Sequence, residues 1–524
     1  MDARSDHIPV FDGIRALAFI GDLSMGQPTD HSPRVAWLAC RIARAAGWSA
    51  DERHAVQEAA LLRWSGCTAN AGDVANVLGD DIASREAMLA MRPGWSAPLA
   101  RHGGAVALRP LAEIHCEVAA QVAAMLRLST AAQDILRNTF ESWDGGGLPA
   151  GSAGAAVPRG LFAVTLAGDL DVLARVYGMD RAREMIRGRA GGAYPADLAD
   201  IVLAQAGQWM RELDAWEGSR PPGPASAVDA PDGNPAAADA DGDAADGLPP
   251  TPASLRPASL ELVADIVDLK LPWMTGFSRG AATAAAVCAQ RLGAGEEIVR
   301  AVYRAGLVHG IGRAAVPNAV WNTPGRLSAQ AWEKVRLVPY WTARAGRQTG
   351  SLADAAELGS HAYERADGSG YFRSIGAPAI GLPAQILAAA VAWVALRSPR
   401  PWRVAMADEA ATACLRDEAD RGRFDRRVIE ALVSIHAADG VDSPKASTVL
   451  AGIDAASRAD SALLTHRERD VLRAISLGAT NKEAARQLAL SPSTVRTHVE
   501  NAFRKLECST RAAATLKATA LGLL

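Results

Sequence analysis

The sequence predicts an all-α protein: two related helical blocks, then a short four-helix segment. Three observations predict it. In "HSPRVAWLACRIARAAGW", Val35, Leu38, Ala39, Ile42 and Ala46 fall on one helix face, and few β-branched runs compete with that spacing. The two blocks echo each other in order. A segment poor in large apolar residues separates them.

The echo has four members. "DHSPRVAWLACRIARAAGW" faces "GFSRGAATAAAVCAQRLGA". "AALLRWSGCTANA" faces "RAGLVHGIGRAAVP". "WDGGGLPAG" faces "ADGSGYFRS". "AAVPRGLFAVTLAGDLDVL" faces "IGLPAQILAAAVAWVAL". Four ordered matches imply two copies of one unit. The separator, about Glu217 to Pro257, is built from Pro, Gly, Ala, Ser and Asp and reads as a linker. A weaker break, "AADGVDSPKAS", follows Ile435. The expected boundaries are residues 1–216 and 258–440 for the two units, 217–257 and 441–460 for linkers, and 461–524 for the last module.

Composition narrows the class. The chain has 524 residues, 49% of them apolar, and a net charge of −3. The charge is uneven: Ser461 to Leu524 carries ten Lys and Arg against five Asp and Glu. A basic end on an acidic body points to nucleic-acid contact at that end. The six cysteines, Cys40, Cys67, Cys116, Cys288, Cys414 and Cys508, form no C-x-x-C and fit a reducing cytoplasm. The polar start "MDARSDHIPVFDG" has no signal-peptide core, and "GLPAQILAAAVAWVAL" is short for a membrane span, so no membrane partner is expected.

"LVHGIGR", "ERADGSGY" and the echoes carry a resemblance. Each unit resembles the HD-GYP subgroup of HD-domain metal phosphohydrolases, over nearly all of both blocks. The resemblance implies a helical fold and cyclic di-GMP hydrolysis by two or three clustered metals. Their ligands are a lone His, a His-Asp pair, further His residues and a late Asp. Carried over, the second unit has Phe277 at the leading His, His309-Gly310 at the pair and Val338 at the next His. Ala362 and Tyr363 stand at the double His, with His361 one residue early, and Val391 at the late Asp. The first unit keeps His31 and His115. It has Arg63-Trp64 at the pair, Thr139-Phe140 at the double His, and Gly168 at the late Asp with Asp169 beside it.

A dinuclear site wants bridging carboxylate to balance its charge. The expectation is therefore a chain that is not an enzyme, with no catalytic residue, no metal and no resident cofactor. His31, Trp64, His115, Phe140, Phe277, His309, Tyr363 and Val391 either fill a core or line a dry pocket for a small apolar effector. In the turns "WDGGGLP" and "ADGSGY", Asp caps the loop and glycine supplies positive φ.

The last segment, with "LTHRERDVL", "TNKEAARQL", "SPSTVRTHV", "RKL" and "STRAAA", resembles the LuxR-type helix-turn-helix across about 60 residues. Thr480 and Glu483 make a capping box for its second helix, and Ser491-Pro492 start the third. Val495, Val499, Phe503 and Leu506 face the core, which turns Arg496, Thr497 and Glu500 toward a major groove. Lys482, Thr494, Arg504 and Lys505 are placed to reach phosphates. The resemblance implies that the fourth helix, about Ser509 to Leu521, pairs subunits. The expected protein is a cytoplasmic, homodimeric transcription regulator that binds double-stranded DNA, its HD units serving sensing or dimerisation. Two alternatives stand beside it: a metal-dependent cyclic dinucleotide phosphodiesterase coupled to a DNA-binding domain, and a ligand-free assembly scaffold.

Overall fold

A computed structural model of the chain describes residues 7–219, 256–377, 379–437 and 463–524. The expected linker stretches 220–255 and 441–460 lie outside the described residues. The architecture is helical. Its one sheet among those residues has two strands, His7–Pro9 and Pro257–Ser259, paired antiparallel. The helix Ala196–Ser219 runs three residues into the expected linker, and the second strand begins at its last residue.

Local chemistry sets the helix starts. Ser49 and Glu52 form a capping box at the helix Ala50–Leu62. The equivalent helix of the second unit, Glu296–Val308, carries two acidic residues in its first turn, where the helix dipole favours them. The apolar faces beyond these caps build the core.

The internal repeat extends to single hydrogen bonds. Asp22 accepts the Ser32 N–H at 3.0 Å and its hydroxyl at 2.6 Å; Asp268 does the same for Ser278 at 2.7 and 2.8 Å. Buried Glu141 accepts the N–H groups of Ala150 and Ser152, and buried Glu364 those of Arg373 and Ile375. Asp144 and Asp367 each cap their turn through the N–H two residues on, at 2.9 Å in both. Gly145 and Gly368 hold the expected positive φ, 82° and 78°.

The two units are not beads on a string. Their apolar residues form one continuous core, in which the helix Val10–Ser24 is buried along nearly its whole length. It packs on its own unit and on the turn Ile311–Ala315 of the other. Lys270 of the second unit reaches Asp81 of the first at 2.7 Å, with both side chains at most 1% exposed. Asp81 also accepts the Asn318 N–H at 2.7 Å. None of the helices among the described residues is long and apolar enough to cross a membrane.

Candidate functional site

In the second unit the helix Glu296–Val308 delivers His309 to the interior. Its Nδ1–H donates to the Gly306 carbonyl at 2.6 Å. That leaves the Nε2 lone pair facing inward, and the Arg313 guanidinium donates to it, also at 2.6 Å. Arg313 further reaches Asp268 at 3.2 Å and the Tyr363 hydroxyl at 3.2 Å, and lies over the Phe277 ring at 4.9 Å. Burial, then the neighbouring guanidinium, holds the His309 imidazole well below its ordinary pKa, so it is neutral. Burial lifts the Asp268 carboxyl to about 6 against the pull of Arg313.

Gly310 explains how the guanidinium gets there. A Cβ at that position would stand 2.5 Å from Arg313 Nη1. The volume of the aspartate that the resemblance expected is the volume Arg313 now uses. Val338 and Val391 are buried apolar residues, so they offer no ligand atom.

The first unit reaches a similar state by another route. Arg63 lies over the Trp64 ring at 4.4 Å. A Cβ at Gly168 would meet its Nη1 at 2.6 Å. His115 donates from Nε2 to the Arg63 carbonyl at 2.8 Å, and burial pulls its pKa down to about 3. Phe140 meets His115 edge-on at 4.9 Å and Trp64 at 6.4 Å. His31 stands apart from these rings in its contacts: its Nδ1 pairs with Asp171 at 2.8 Å, and Asp171 also takes Arg34 at 2.7 Å. The sequence reading missed Asp171. It lies three residues beyond Gly168 on the helix Arg159–Tyr177, so the same helix face carried the signal.

In the second unit the ligand atoms that remain are engaged within the chain. The His309 lone pair is taken by an arginine, and Asp268 is shared between Ser278 and that arginine. Among the described residues no three His, Cys, Asp or Glu side chains gather as a metal group.

The C-terminal module has the expected helices His466–Ser476, Asn481–Leu488, Pro492–Leu506 and Arg511–Ala520. The Thr480–Glu483 capping box and the Ser491 cap are formed, and Thr465 with Glu468 makes a second box. On the third helix Arg496, Thr497, Glu500 and Arg504 are exposed, as is Lys482 before it. Arg496 pairs with Glu500 at 2.8 Å. Thr494 sits in the helix cap beside Ser491. The Lys505 ammonium pairs with Glu468 at 2.7 Å.

The fourth helix is seated within one chain. Ala514 and Ala518 join the module's own core, while Ala513 and Leu516 join the core of the body. The Ser509 N–H donates to Glu117 at 2.5 Å, and the Thr275 hydroxyl to the Ser476 carbonyl at 3.0 Å. The small-residue face expected to pair subunits is thus covered intramolecularly.

Comparison with known proteins agrees with both halves. Residues 261–428 match the HD domain family, and residues 462–518 match the bacterial regulatory proteins of the luxR family. The chain carries an HD domain and a LuxR-family module. It is 24% identical over 449 residues to 3'3'-cGAMP-specific phosphodiesterase 3 of Vibrio cholerae, covering 80% of this chain and 92% of the relative. A crystal structure of a V. cholerae cyclic GMP-AMP phosphodiesterase shares the fold, with a TM-score of 0.56 at 23% identity over 82% of this chain and 98% of that one. The LuxR-family module is 48% identical over 52 residues to the CsgBAC operon transcriptional regulatory protein of Escherichia coli, 10% of this chain and 24% of that protein.

These relatives correct one expectation. The chain was expected not to be an enzyme, yet the HD-domain relatives with which it aligns are phosphodiesterases. The substitutions at Phe277, Gly310, Val338 and Val391 describe those positions and decide nothing about activity.

Proposed function

We propose that the protein is a cytoplasmic DNA-binding transcriptional regulator in which the tandem HD body controls the LuxR-family module. The observation that carries this reading is the module's orientation. Its third helix turns Arg496, Thr497 and Glu500 to solvent, while its fourth is seated on the body. A body that grips one helix of a DNA-binding module and leaves the reading face free is placed to govern how that module pairs. The duplex would be contacted through Arg496 at a base edge, with Lys482 and Arg504 on phosphates.

The test uses the full chain on duplexes selected from a random pool. Arg496→Ala should weaken binding to the selected site roughly tenfold to a hundredfold, the size of one bidentate base contact. Failure of the wild-type chain to enrich any sequence would end this reading. A second reading is favoured by the relatives' names: a cyclic dinucleotide phosphodiesterase fused to a DNA-binding module. Turnover of 3'3'-cGAMP or cyclic di-GMP by the purified chain, abolished by a chelator, would establish it.

A further inference from the structure

The first HD unit gathers three soft donor atoms in one dry corner. Met25 ends the helix Val10–Ser24, Cys67 lies in the turn after the helix Ala50–Leu62, and His115 stands on the helix Arg109–Met125. Cys67 Sγ is 3.2 Å from Met25 Sδ and 3.6 Å from His115 Nδ1. The three residues are 1%, 2% and 1% exposed in chain order. Trp64, Phe140, Met88 and Leu89 pack around the two sulfurs.

The chain closes tightly here. A Cβ at Gly66 would strike the His115 carbonyl, and one at Gly21 would stand 2.7 Å from Trp64 Cβ. Both approaches need glycine. Buried Arg85 then ties the two sulfur-bearing segments together, donating to the Ser24 carbonyl at 3.2 Å and to the Cys67 carbonyl at 2.8 Å.

Hydrogen bonding alone does not satisfy this corner. His115 Nε2 faces the Arg63 carbonyl, which can only accept, so Nε2 carries the ring proton. Burial pulls the imidazole down to about 3, so the ring is neutral and Nδ1 is a lone pair. Met25 Sδ also only accepts. The one proton on Cys67 Sγ thus faces two acceptors and serves one of them well. A cation in its place would engage imidazole, thioether and thiolate together.

We propose that Met25, Cys67 and His115 form a binding site for a soft monovalent metal ion, copper(I). Thioether and thiolate donors select that ion. Donor atoms that share one metal at about 2.0–2.3 Å lie roughly 3.5–4 Å apart. Cys67 and His115 already have that spacing, and the flexible Met25 side chain has to open by only about half an ångström. The bond from Nε2 to the Arg63 carbonyl is the outer contact that ligating histidines make. Binding exchanges a proton for the ion. The Cys67 S–H bond breaks, the proton passes to water, and the sulfur electron pair binds copper. The charge of the corner is unchanged. A divalent ion would add a positive charge near Arg85 and Arg63, which burial makes costly. Burial pushes the Cys67 thiol up to about 11, so the thiolate persists only with a cation on it. With a methionine and no carboxylate, this is not the bridged centre that the resemblance implied.

The test is anaerobic titration of the full chain with copper(I), in competition with a colorimetric copper(I) chelator. One tight equivalent per chain is expected, bound more tightly than zinc(II). Met25→Leu conserves core volume and should weaken that binding roughly tenfold or more. Cys67→Ser should abolish it. Cys414→Ser, at a thiol of the second unit, should leave it unchanged. Copper(I) should also raise the melting temperature of the wild-type chain and not that of Cys67→Ser. X-ray absorption at the copper edge needs no variant, and should show two sulfurs and one nitrogen around the ion. No uptake, zinc(II) bound as tightly, wild-type affinity in both Met25→Leu and Cys67→Ser, or a shell without both sulfur and nitrogen would overturn the proposal. No duplex enters these measurements, so they bear on this site alone and not on the regulator reading.

Discussion

The guanidinium of Arg313 stands 2.6 Å from Nε2 of His309, four residues earlier in the chain. The imidazole is fixed as the acceptor because its other nitrogen donates to the Gly306 carbonyl. A neutral histidine and an arginine therefore form one hydrogen-bonded pair inside the HD domain. Its existence depends on a residue that has no side chain.

That residue is Gly310. An alanine there would place Cβ 2.5 Å from Arg313 Nη1, and the flexible guanidinium would have to withdraw. The backbone would accept the change, since Gly310 has φ −87°. The cost is the lost bond to His309, about 1.5–3 kcal/mol for a hydrogen bond with one charged partner. Denaturant unfolding of Gly310→Ala should show a loss of that size. Wild-type stability in this variant would mean that the His309–Arg313 bond contributes nothing.

Much of this fold was legible because it is written at short range. The capping box of Thr480 and Glu483 spans three residues, and the cap and proline at Ser491 and Pro492 are adjacent. The repeat was legible because its two copies keep the same spacings, ten residues from Asp22 to Ser32 and from Asp268 to Ser278. Side-chain trajectories were not legible. Whether Arg313 extends outward or folds back on His309 depends on the missing Cβ at Gly310, and Arg400 meets Phe277 across 123 residues with no periodicity to announce it. The seat of the fourth helix, where Ser509 meets Glu117, is set by a separation of 392 residues.

The pair Lys270–Asp81 joins the two units where water is excluded. Burial pushes the Lys270 ammonium below its ordinary pKa, and Asp81 opposes that push. Removing one partner leaves the other charge buried alone. Lys270→Met should therefore cost about 3–5 kcal/mol, and adding Asp81→Asn should recover part of it. Chemical denaturation of both variants checks this. A single variant as stable as wild type would show that the charges are solvated, and the interface looser than described.

Asp22 should give the stability a pH dependence. Burial raises its carboxyl from 3.8 to about 7 against the attraction of His31. With a raised folded-state pKa, the unfolded chain ionises first as pH climbs. Stability from this group is complete below about 3.8 and is lost on the way up through about 7. Asp22→Asn removes the ionisation but keeps an acceptor for Ser32. Relative to wild type, the variant should gain about 2–3 kcal/mol between pH 5 and pH 8, at roughly 1.4 kcal/mol per pKa unit. A stability difference that does not change with pH would contradict a buried, raised carboxyl.

The seat of the fourth helix sets the last expectation. If that helix pairs subunits, as in the LuxR-type family it resembles, every contact that holds it on the body competes with pairing. Glu117, which accepts the Ser509 N–H, and Gln121, whose amide lies 3.8 Å from Cys508 Sγ, are body residues outside the module. Replacing both with alanine leaves the module's own core of Leu464, Val471, Val495 and Leu506 untouched. Losing one charge-assisted bond at the seat removes about 1–2 kcal/mol from the closed arrangement. By linkage, pairing and site-specific DNA binding should each become easier by up to that amount, roughly five- to thirtyfold. Light scattering over a concentration series should show more dimer in Glu117→Ala/Gln121→Ala than in wild type. Gel shifts on the selected duplex should show tighter binding in parallel. The reading fails if the variant has the same subunit distribution and the same DNA affinity as wild type, because the seat would then hold nothing back.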